Sequence, residues 1–183
     1  SRTLTVVRTL SVGKRPRGIT FSRDFTKFFV CASDSNSVQV YDAATGTMLH
    51  DLPSGADPEQ FALSHDGRLL YIANEDNAVT TVVDVGTRQV VKQVDVGIEP
   101  EGMAVSPDDK IAVTTSETTN MVHLIDTSSF DVISNILVDQ RPRYAQFTPD
   151  GAKLWVSSEV GGSISIIDVA KRGQRRPRQN QMR

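Results

Sequence analysis

The stretch IEPEGMAVSPDDKIAVTTS, residues 98–116, decides the fold because the chain repeats its pattern. The pattern is a proline, an alternating apolar segment, an acidic turn and a second apolar segment. Matching stretches begin at residues 14, 56 and 140, so the period is 42 residues without insertion or deletion. The repeated positions are Pro16, Pro58, Pro100 and Pro142, then Asp24, Asp66, Asp108 and Asp150, and then Asp42, Asp84, Asp126 and Asp168. Chance does not produce four copies in one register, so the stretch is repeated structure.

Each copy contains four strand signals. In the second copy, segments rich in Val, Ile and aromatic residues alternate with turn residues. Four antiparallel strands in 42 residues correspond to one blade of a β-propeller. The chain is therefore predicted to be an all-β propeller array with four blades' worth of strands, and a solenoid is the weaker alternative. The blades are expected over about residues 16–54, 58–96, 100–138 and 142–168.

The two ends of the array differ from its interior. Residues 4–12 align with the fourth strand of the second copy, so they are predicted to form a strand whose own first three strands are missing. The last copy supplies three strands, which ends the repeats near residue 172. Residues 173–183 are basic, lack apolar alternation and are predicted to be a disordered tail. Three arrangements remain open: a fragment of a longer propeller, which we favour, two chains completing an eight-bladed ring, or a closed four-bladed ring.

Composition argues against several classes of protein. The formal net charge of −2 gives no basic footprint for nucleic acid, and no apolar stretch is long enough to span a bilayer. Cys31 is the single cysteine, so an internal disulfide is impossible and a thiolate metal site is not expected. His50, His65 and His123 fall in different repeat columns, so no metal and no cofactor are predicted. No nucleophile, phosphate-binding or dinucleotide motif occurs, and no catalytic residue is predicted.

Two charged columns form the candidate site. From the alternating strand directions, both lie on one face of the propeller, at the mouth of its channel, where loops on a rigid scaffold commonly bind ligands. The first column follows the repeated proline, and its neighbours of opposite charge are expected chiefly to join blades by ion pairs. Its two carboxylates also have the chemistry to hold a cation or share a proton. The columns are Arg17, Glu59, Glu101 and Arg143, and then Glu75, Glu117 and Glu159.

The aspartates that recur in every copy are interpreted differently from these columns. An Asp side chain in a tight turn accepts hydrogen bonds from nearby backbone N–H groups. Repetition in every blade favours this structural role over catalysis.

Two stretches carry a family resemblance. YIANEDNAVTTVVDV (71–85) and VQVYDAATGTMLHDLPSG (38–55) resemble the YVTN-type β-propeller repeat, with residues 71–74 at the signature tetrapeptide. Within that family, the chain is similar to propellers associated with pyrroloquinoline-quinone-dependent alcohol catabolism in bacteria. The resemblance implies a periplasmic or otherwise extracytoplasmic accessory protein, linked to quinoprotein-dependent oxidation, that acts as a non-catalytic binding scaffold.

The two charged columns suggest what this scaffold binds, because together they form an acidic rim flanked by arginines. The expected partner is a protein or a small polar ligand at the loop face, and the strand count makes a homodimer completing the ring a further possibility. The alternative is a lactonase-like propeller enzyme with the column of residues 17, 59, 101 and 143 at its mouth. An enzyme should break its repeat symmetry at a few mouth positions, and the near-intact symmetry here favours binding.

Overall fold

The computed structural model describes residues 4–171 and is built from β-strands and two short 3-10 turns. The strands form three four-stranded sheets and one three-stranded sheet, each antiparallel and each in chain order. Each sheet is one blade, so the predicted all-β propeller array is confirmed. The predicted tail at 173–183 lies outside the described residues.

The strand bounds follow the repeat. The first blade contains β1 (Pro16–Phe21), β2 (Lys27–Ala32), β3 (Ser37–Asp42) and β4 (Met48–Pro53). The second contains β5 (Pro58–Leu63), β6 (Leu69–Asn74), β7 (Val79–Asp84) and β8 (Gln89–Asp95). The third contains β9 (Pro100–Val105), β10 (Ile111–Ser116), β11 (Met121–Asp126) and β12 (Val132–Leu137). The fourth contains β13 (Pro142–Phe147), β14 (Lys153–Ser158) and β15 (Ser163–Asp168).

The repeated aspartates close the turns between strands. In the second blade, Asp66 Oδ1 accepts hydrogen bonds from the Arg68 backbone N–H at 2.9 Å and from Ser64 Oγ at 2.6 Å. Asp84 Oδ1 accepts the Thr87 backbone N–H at 2.8 Å. These bonds favour the ionised carboxylate and lower the pKa of both side chains. Equivalent bonds occur in the other blades, as a structural role requires.

Apolar side chains fill the interfaces between successive blades. Phe29 and Val40 of the first blade pack against Phe61 and Ile72 of the second, and corresponding clusters join the second blade to the third and the third to the fourth. The innermost strands β1, β5, β9 and β13 lie side by side in that order. The core therefore consists of separate apolar layers, one between each pair of successive blades. The adjacent innermost strands begin at the same face, so their first residues lie around one channel.

Residues 4–12, predicted to be a fourth strand, form no strand in the structure. The segment nevertheless lies where such a strand would lie, because Leu10 and Val12 pack against Phe28 and its neighbours on the first blade. The Gly13 backbone N–H donates to Gln39 Oε1 at 2.6 Å, and two repeats later the Gly97 N–H donates to His123 Nε2 at 3.0 Å. None of the strands in residues 4–171 pairs with this segment, so it lacks the ladder of backbone hydrogen bonds that defines a strand of a sheet.

Both ends of the array expose apolar faces. Ile19 on the first blade is 66% exposed and Trp155 on the fourth is 44% exposed. Trp155 does not pack between two blades, because no blade follows the fourth one in the described residues. At the corresponding interior position, Tyr71 is 1% exposed.

Candidate functional site

The channel-mouth residues are positioned by a backbone irregularity that every blade repeats. Pairing between the first two strands breaks just after the repeated proline, as between Pro58 and Phe61 in the second blade. The residue before each proline has a left-handed backbone, with φ of 49° at Asp57. Its backbone carbonyl accepts a hydrogen bond from the N–H of the residue directly after the second strand, as in the 3.0 Å bond from the Glu75 N–H to the Asp57 carbonyl. A bulge of this kind redirects side chains, and here it turns the residue after the proline towards the channel.

Glu59 is the centre of the site on the first two blades. Its side chain is fully buried. Its Oε1 lies 2.7 Å from Arg15 Nη2, and its Oε2 lies 2.5 Å from Arg17 Nη2. Arg15 also approaches Asp57 at 3.3 Å and Glu75 at 3.8 Å. One buried carboxylate is thus held by two guanidinium groups from the neighbouring blade.

Glu101 has the same place on the third blade and is 4% exposed. Its Oε1 contacts Arg143 Nη2 and lies 2.9 Å from Arg17 Nη2. Arg143 Nη1 lies 2.6 Å from Glu117 Oε1, and Glu117 Oε2 accepts from Arg141 Nε at 2.8 Å. The contact from Arg17 to Glu101 passes over the second blade, so these side chains meet inside one channel.

All seven predicted site residues therefore belong to one network of alternating charges. The predicted ion pairs of Arg17 with Glu59 and of Glu101 with Arg143 are both present. The place that a cation could take between Glu59 and Glu101 is held by Arg17, whose guanidinium group contacts both carboxylates. Glu159 lies at the edge, 3.4 Å from Arg141 and from Arg143.

The sequence reasoning missed Arg15 and Arg141, which complete the network. Both precede a repeated proline, and their column reads Arg, Asp, Glu, Arg along the chain. That variation in charge is the same signal that identified the neighbouring column. Arg15 also lies within 3.8 Å of each member of an acidic group, Asp57, Glu59 and Glu75, whose ligand atoms come within 4.8 Å of one another. A guanidinium group therefore lies against the one acidic group, among the described residues, that has metal-ligand spacing.

Burial changes the protonation of the site. It raises the pKa of Glu59 to about 8, with the nearby Glu101 carboxylate adding to the rise and Arg17 opposing it. Burial also raises the pKa of Glu101, although Arg143 and Arg17 oppose the shift, and it raises the pKa of Glu75. The site therefore retains protons at pH values where exposed carboxylates are ionised.

Carboxyl groups outnumber guanidinium groups at the mouth. Four arginines contact seven carboxyl groups within 4.0 Å. The surplus acids lie at the edge, since the side chains of Asp34 and Glu159 are 50% and 53% exposed. The mouth as a whole therefore carries more carboxyl than guanidinium groups, and at its edge Asp34 and Glu159 lie beside the partly exposed Arg15 and Arg141.

Comparisons with known proteins agree with the architecture. A family model described as the cytochrome D1 heme domain matches residues 22–145. The structure resembles a chain of the Kuenenia stuttgartiensis hydrazine synthase, with a TM-score of 0.80 and 29% sequence identity over 91% of this chain. The match covers 50% of that chain, so the present chain spans about half the length of its relative. A comparison with curated protein sequences finds no match.

The matched family model raises the question of whether the chain fits a haem. Haem iron takes an axial side chain such as histidine. His65 lies on the face opposite the mouth beside Asp109, at 2.8 Å, and His50 lies on the outermost strand β4. His123 is buried in β11 with both ring nitrogens in contact, one with the Gly97 N–H and one with Asn135. No histidine of the chain lies at the mouth, so these residues do not fit a histidine-ligated haem there.

Proposed function

We propose that this chain, which belongs to the cytochrome D1 heme domain family, is a non-catalytic β-propeller module that binds a protein partner at its channel mouth. The partner is expected to present a basic patch. The observation that carries this proposal is the surplus of carboxyl groups over guanidinium groups at the mouth, with Asp34 and Glu159 half exposed. Complementary charge brings partners together and fixes their orientation.

The contacts of the inner charged residues favour a binding role over catalysis, because these residues are already paired with one another. Arg17 bridges Glu59 and Glu101, and Arg143 bridges Glu101 and Glu117. The inner charges therefore join blades, whereas Asp34 and Glu159 at the edge keep about half of their side-chain surface exposed and accessible to a partner. The lactonase-like alternative would use these same inner residues, whose charged atoms contact one another here.

The cellular context is also part of the proposal. We expect an extracytoplasmic accessory role linked to quinoprotein-dependent oxidation, which the resemblance of residues 38–55 and 71–85 to the YVTN-type repeat supports. No helix in the described part of the chain is long and apolar enough to cross a bilayer. Immunodetection in fractionated source cells tests the location, and recovery in the cytoplasmic fraction alone would contradict it.

Charge-dependent binding of a defined probe tests the mouth. An oligolysine peptide, titrated by fluorescence anisotropy, is expected to bind the chain more weakly as salt rises, and an oligoglutamate peptide of equal length is expected not to bind. Glu159→Lys should weaken oligolysine binding about fivefold or more, from the loss of an exposed charge pair and the added repulsion. Asp131→Lys makes the same charge change at an exposed residue on the opposite face and should have a smaller effect. Equal loss in the two variants, or no binding to the unaltered chain, would refute the mouth as the binding surface.

A further inference from the structure

We propose that His123 is an acid-sensitive latch on the connection between the second and third blades. The neutral ring accepts the Gly97 backbone N–H, and the protonated ring releases it and donates to the Thr119 hydroxyl instead. This inference goes beyond the proposed function and does not depend on what binds at the mouth. It rests on the two hydrogen bonds of the ring, on a buried hydroxyl beside it and on the equivalent residue of the first blade.

The hydrogen bonds of His123 fix the tautomer of its neutral ring. Nδ1 lies 2.6 Å from Asn135 Oδ1, an oxygen that can only accept, so Nδ1 carries the proton. Nε2 lies 3.0 Å from the Gly97 backbone nitrogen, whose N–H can only donate, so Nε2 has no proton. His123 is 5% exposed, so the ring depends on these two partners. A second proton on the ring would lie on Nε2 and point at another donor.

A buried hydroxyl lies where the protonated ring needs an acceptor. A Cβ placed on Gly97 would collide with His123 Nε2, at 2.8 Å, and also with Thr119 Oγ1, so both atoms surround the same point. The Thr119 Oγ1 atom is buried and has no hydrogen-bond partner in the described residues. A hydroxyl oxygen can accept from an N–H, and leaving it unpaired when buried costs free energy. Protonation therefore exchanges one partner of Nε2 for another that lies beside it.

Within residues 4–171, no charged side chain shifts the protonation of this ring. The strands that flank it in its own blade, β10 and β12, contain no charged residue. The titratable and charged groups on the other elements around it are Asp84 of β7, Lys92 and Asp95 of β8, Glu99 of the connection and Glu117 just after β10. Burial lowers the pKa of His123 from the ordinary 6.5, and the Asn135 hydrogen bond opposes this shift. The latch is therefore expected to open in acid, at pH values below 6.5.

The first blade makes the same contact with a side chain that does not titrate. Gln39 occupies the His123 position two repeats earlier, and its Oε1 accepts the Gly13 backbone N–H at 2.6 Å. The repeat column contains Gln39, Thr81, His123 and Ser165, so His123 alone among the four blades can gain a charge at this position. His123→Gln is therefore a matched variant that keeps an acceptor for the Gly97 N–H and removes the titration.

The latch holds a short segment. The Val96 N–H donates to the Ala78 carbonyl at 3.0 Å, and the Glu99 carbonyl accepts the Glu117 N–H at 2.9 Å. These bonds anchor the connection on both sides of Gly97. Release of the Gly97 N–H is therefore expected to loosen residues 97 and 98 and to leave the blades in place.

Amide hydrogen exchange of the unaltered chain, followed by NMR, tests the latch. Protection is the ratio of the exchange rate of an unstructured amide to the observed rate at the same pH. From about pH 7 to about pH 4.5 the Gly97 amide should lose about tenfold in protection, as expected for one lost hydrogen bond. The Val96 and Glu117 amides should keep their protection. In His123→Gln the Gly97 amide should also keep its protection. Equal losses in the two chains, or no loss in the unaltered chain, would overturn the proposal.

The protonation state of the ring can be measured without any variant. Nitrogen NMR of the imidazole at about pH 7.5 should show a proton on Nδ1 and none on Nε2. Nε2 should then gain a proton as the pH falls below 6.5. A neutral ring with its proton on Nε2 would overturn the latch, because the Gly97 N–H could not donate to it.

Thr119→Val tests the acceptor of the protonated ring. This variant removes the hydroxyl and keeps the branched shape, so the midpoint of His123 protonation should fall by about 0.5 to 1 pH unit, or about three- to tenfold in proton affinity. Thr118→Val changes the exposed neighbouring threonine and should leave the midpoint unchanged. The same midpoint in Thr119→Val and in the unaltered chain would overturn the exchange of partners.

Discussion

Replacing Glu59 by Gln is expected to remove much of the pH dependence of stability between about pH 5 and pH 8. The folded chain buries the Glu59 carboxyl group completely, and burial raises its pKa from the ordinary 4.5 to about 8. Between these two values the folded state holds a proton that the unfolded chain has released. The stability associated with this proton is fully present below the unfolded pKa and is lost as pH rises through the folded pKa.

The size of the effect follows from the number of protons. One proton held only by the folded state lowers the free energy of unfolding by about 1.4 kcal/mol for each pH unit. From about pH 5 to pH 8 this gives at most roughly 4 kcal/mol. The contact with Arg17 at 2.5 Å favours the ionised carboxylate and works against the shift. The expected loss is therefore between about 2 and 4 kcal/mol, a large share of the stability of a small domain.

Urea denaturation followed by circular dichroism measures this free energy at several pH values. The difference between the unaltered chain and Glu59→Gln isolates the Glu59 proton from other titrating groups. Glu159→Gln removes a half-exposed carboxylate from the same network and should keep the pH dependence of the unaltered chain. Parallel curves for the unaltered chain and Glu59→Gln would show that Glu59 is ionised throughout and would refute the reasoning.

Three further changes test the fold. Gly102→Ala would bring a Cβ within 2.6 Å of the Arg143 carbonyl oxygen on the next blade and should lower the free energy of unfolding by about 1–3 kcal/mol in urea denaturation. Gly86→Ala is the control, because a Cβ has room there, and it should cost less than about 1 kcal/mol. Equal losses in the two variants would contradict the close approach at Gly102. Asp84→Ala removes the hydrogen bond that closes its turn and should lower the unfolding free energy by about 1 kcal/mol, and an unchanged value would argue against the structural role. The Cys31 thiol is buried, which raises its pKa, so an aromatic disulfide reagent should react with it only after unfolding; rapid reaction in the native state would contradict its burial.

Repetition made the strands predictable, because each position could be judged from four copies. Asp84 alone is an ordinary turn residue, but Asp42, Asp126 and Asp168 at the same position show that the turn is part of every blade. The same comparison identified the charged column after the proline. It also predicted that neighbours of opposite charge would join blades, and the contact of Arg17 with Glu59 shows such a pair.

The repeat could not predict features that depend on backbone shape or on the end of the array. Arg15 enters the site because its backbone is left-handed, with φ of 52°. An arginine in the sequence does not indicate a left-handed backbone, which is uncommon for residues other than glycine. Glu117 is buried and Glu159 is half exposed although both belong to the same repeat column, because Glu117 has blades on both sides. Trp155 has the chemistry of a core residue, and its exposure follows only from its place on the last blade.

Apolar and charged groups have different roles in this fold, and this difference explains why the mouth has more carboxyl groups than guanidinium groups. The interfaces between blades bury Phe29, Tyr71 and Val113 almost completely, and such burial supplies most of the free energy that holds blades together. Ion pairs whose arginines are partly exposed add little net stability, so their main effect is on geometry. Arg17 contacts carboxylates on two successive blades and thereby limits how far the innermost strands can separate. That task occupies the inner charges, whereas the acids at the edge contact arginines on one side and keep about half of their side-chain surface exposed for a partner.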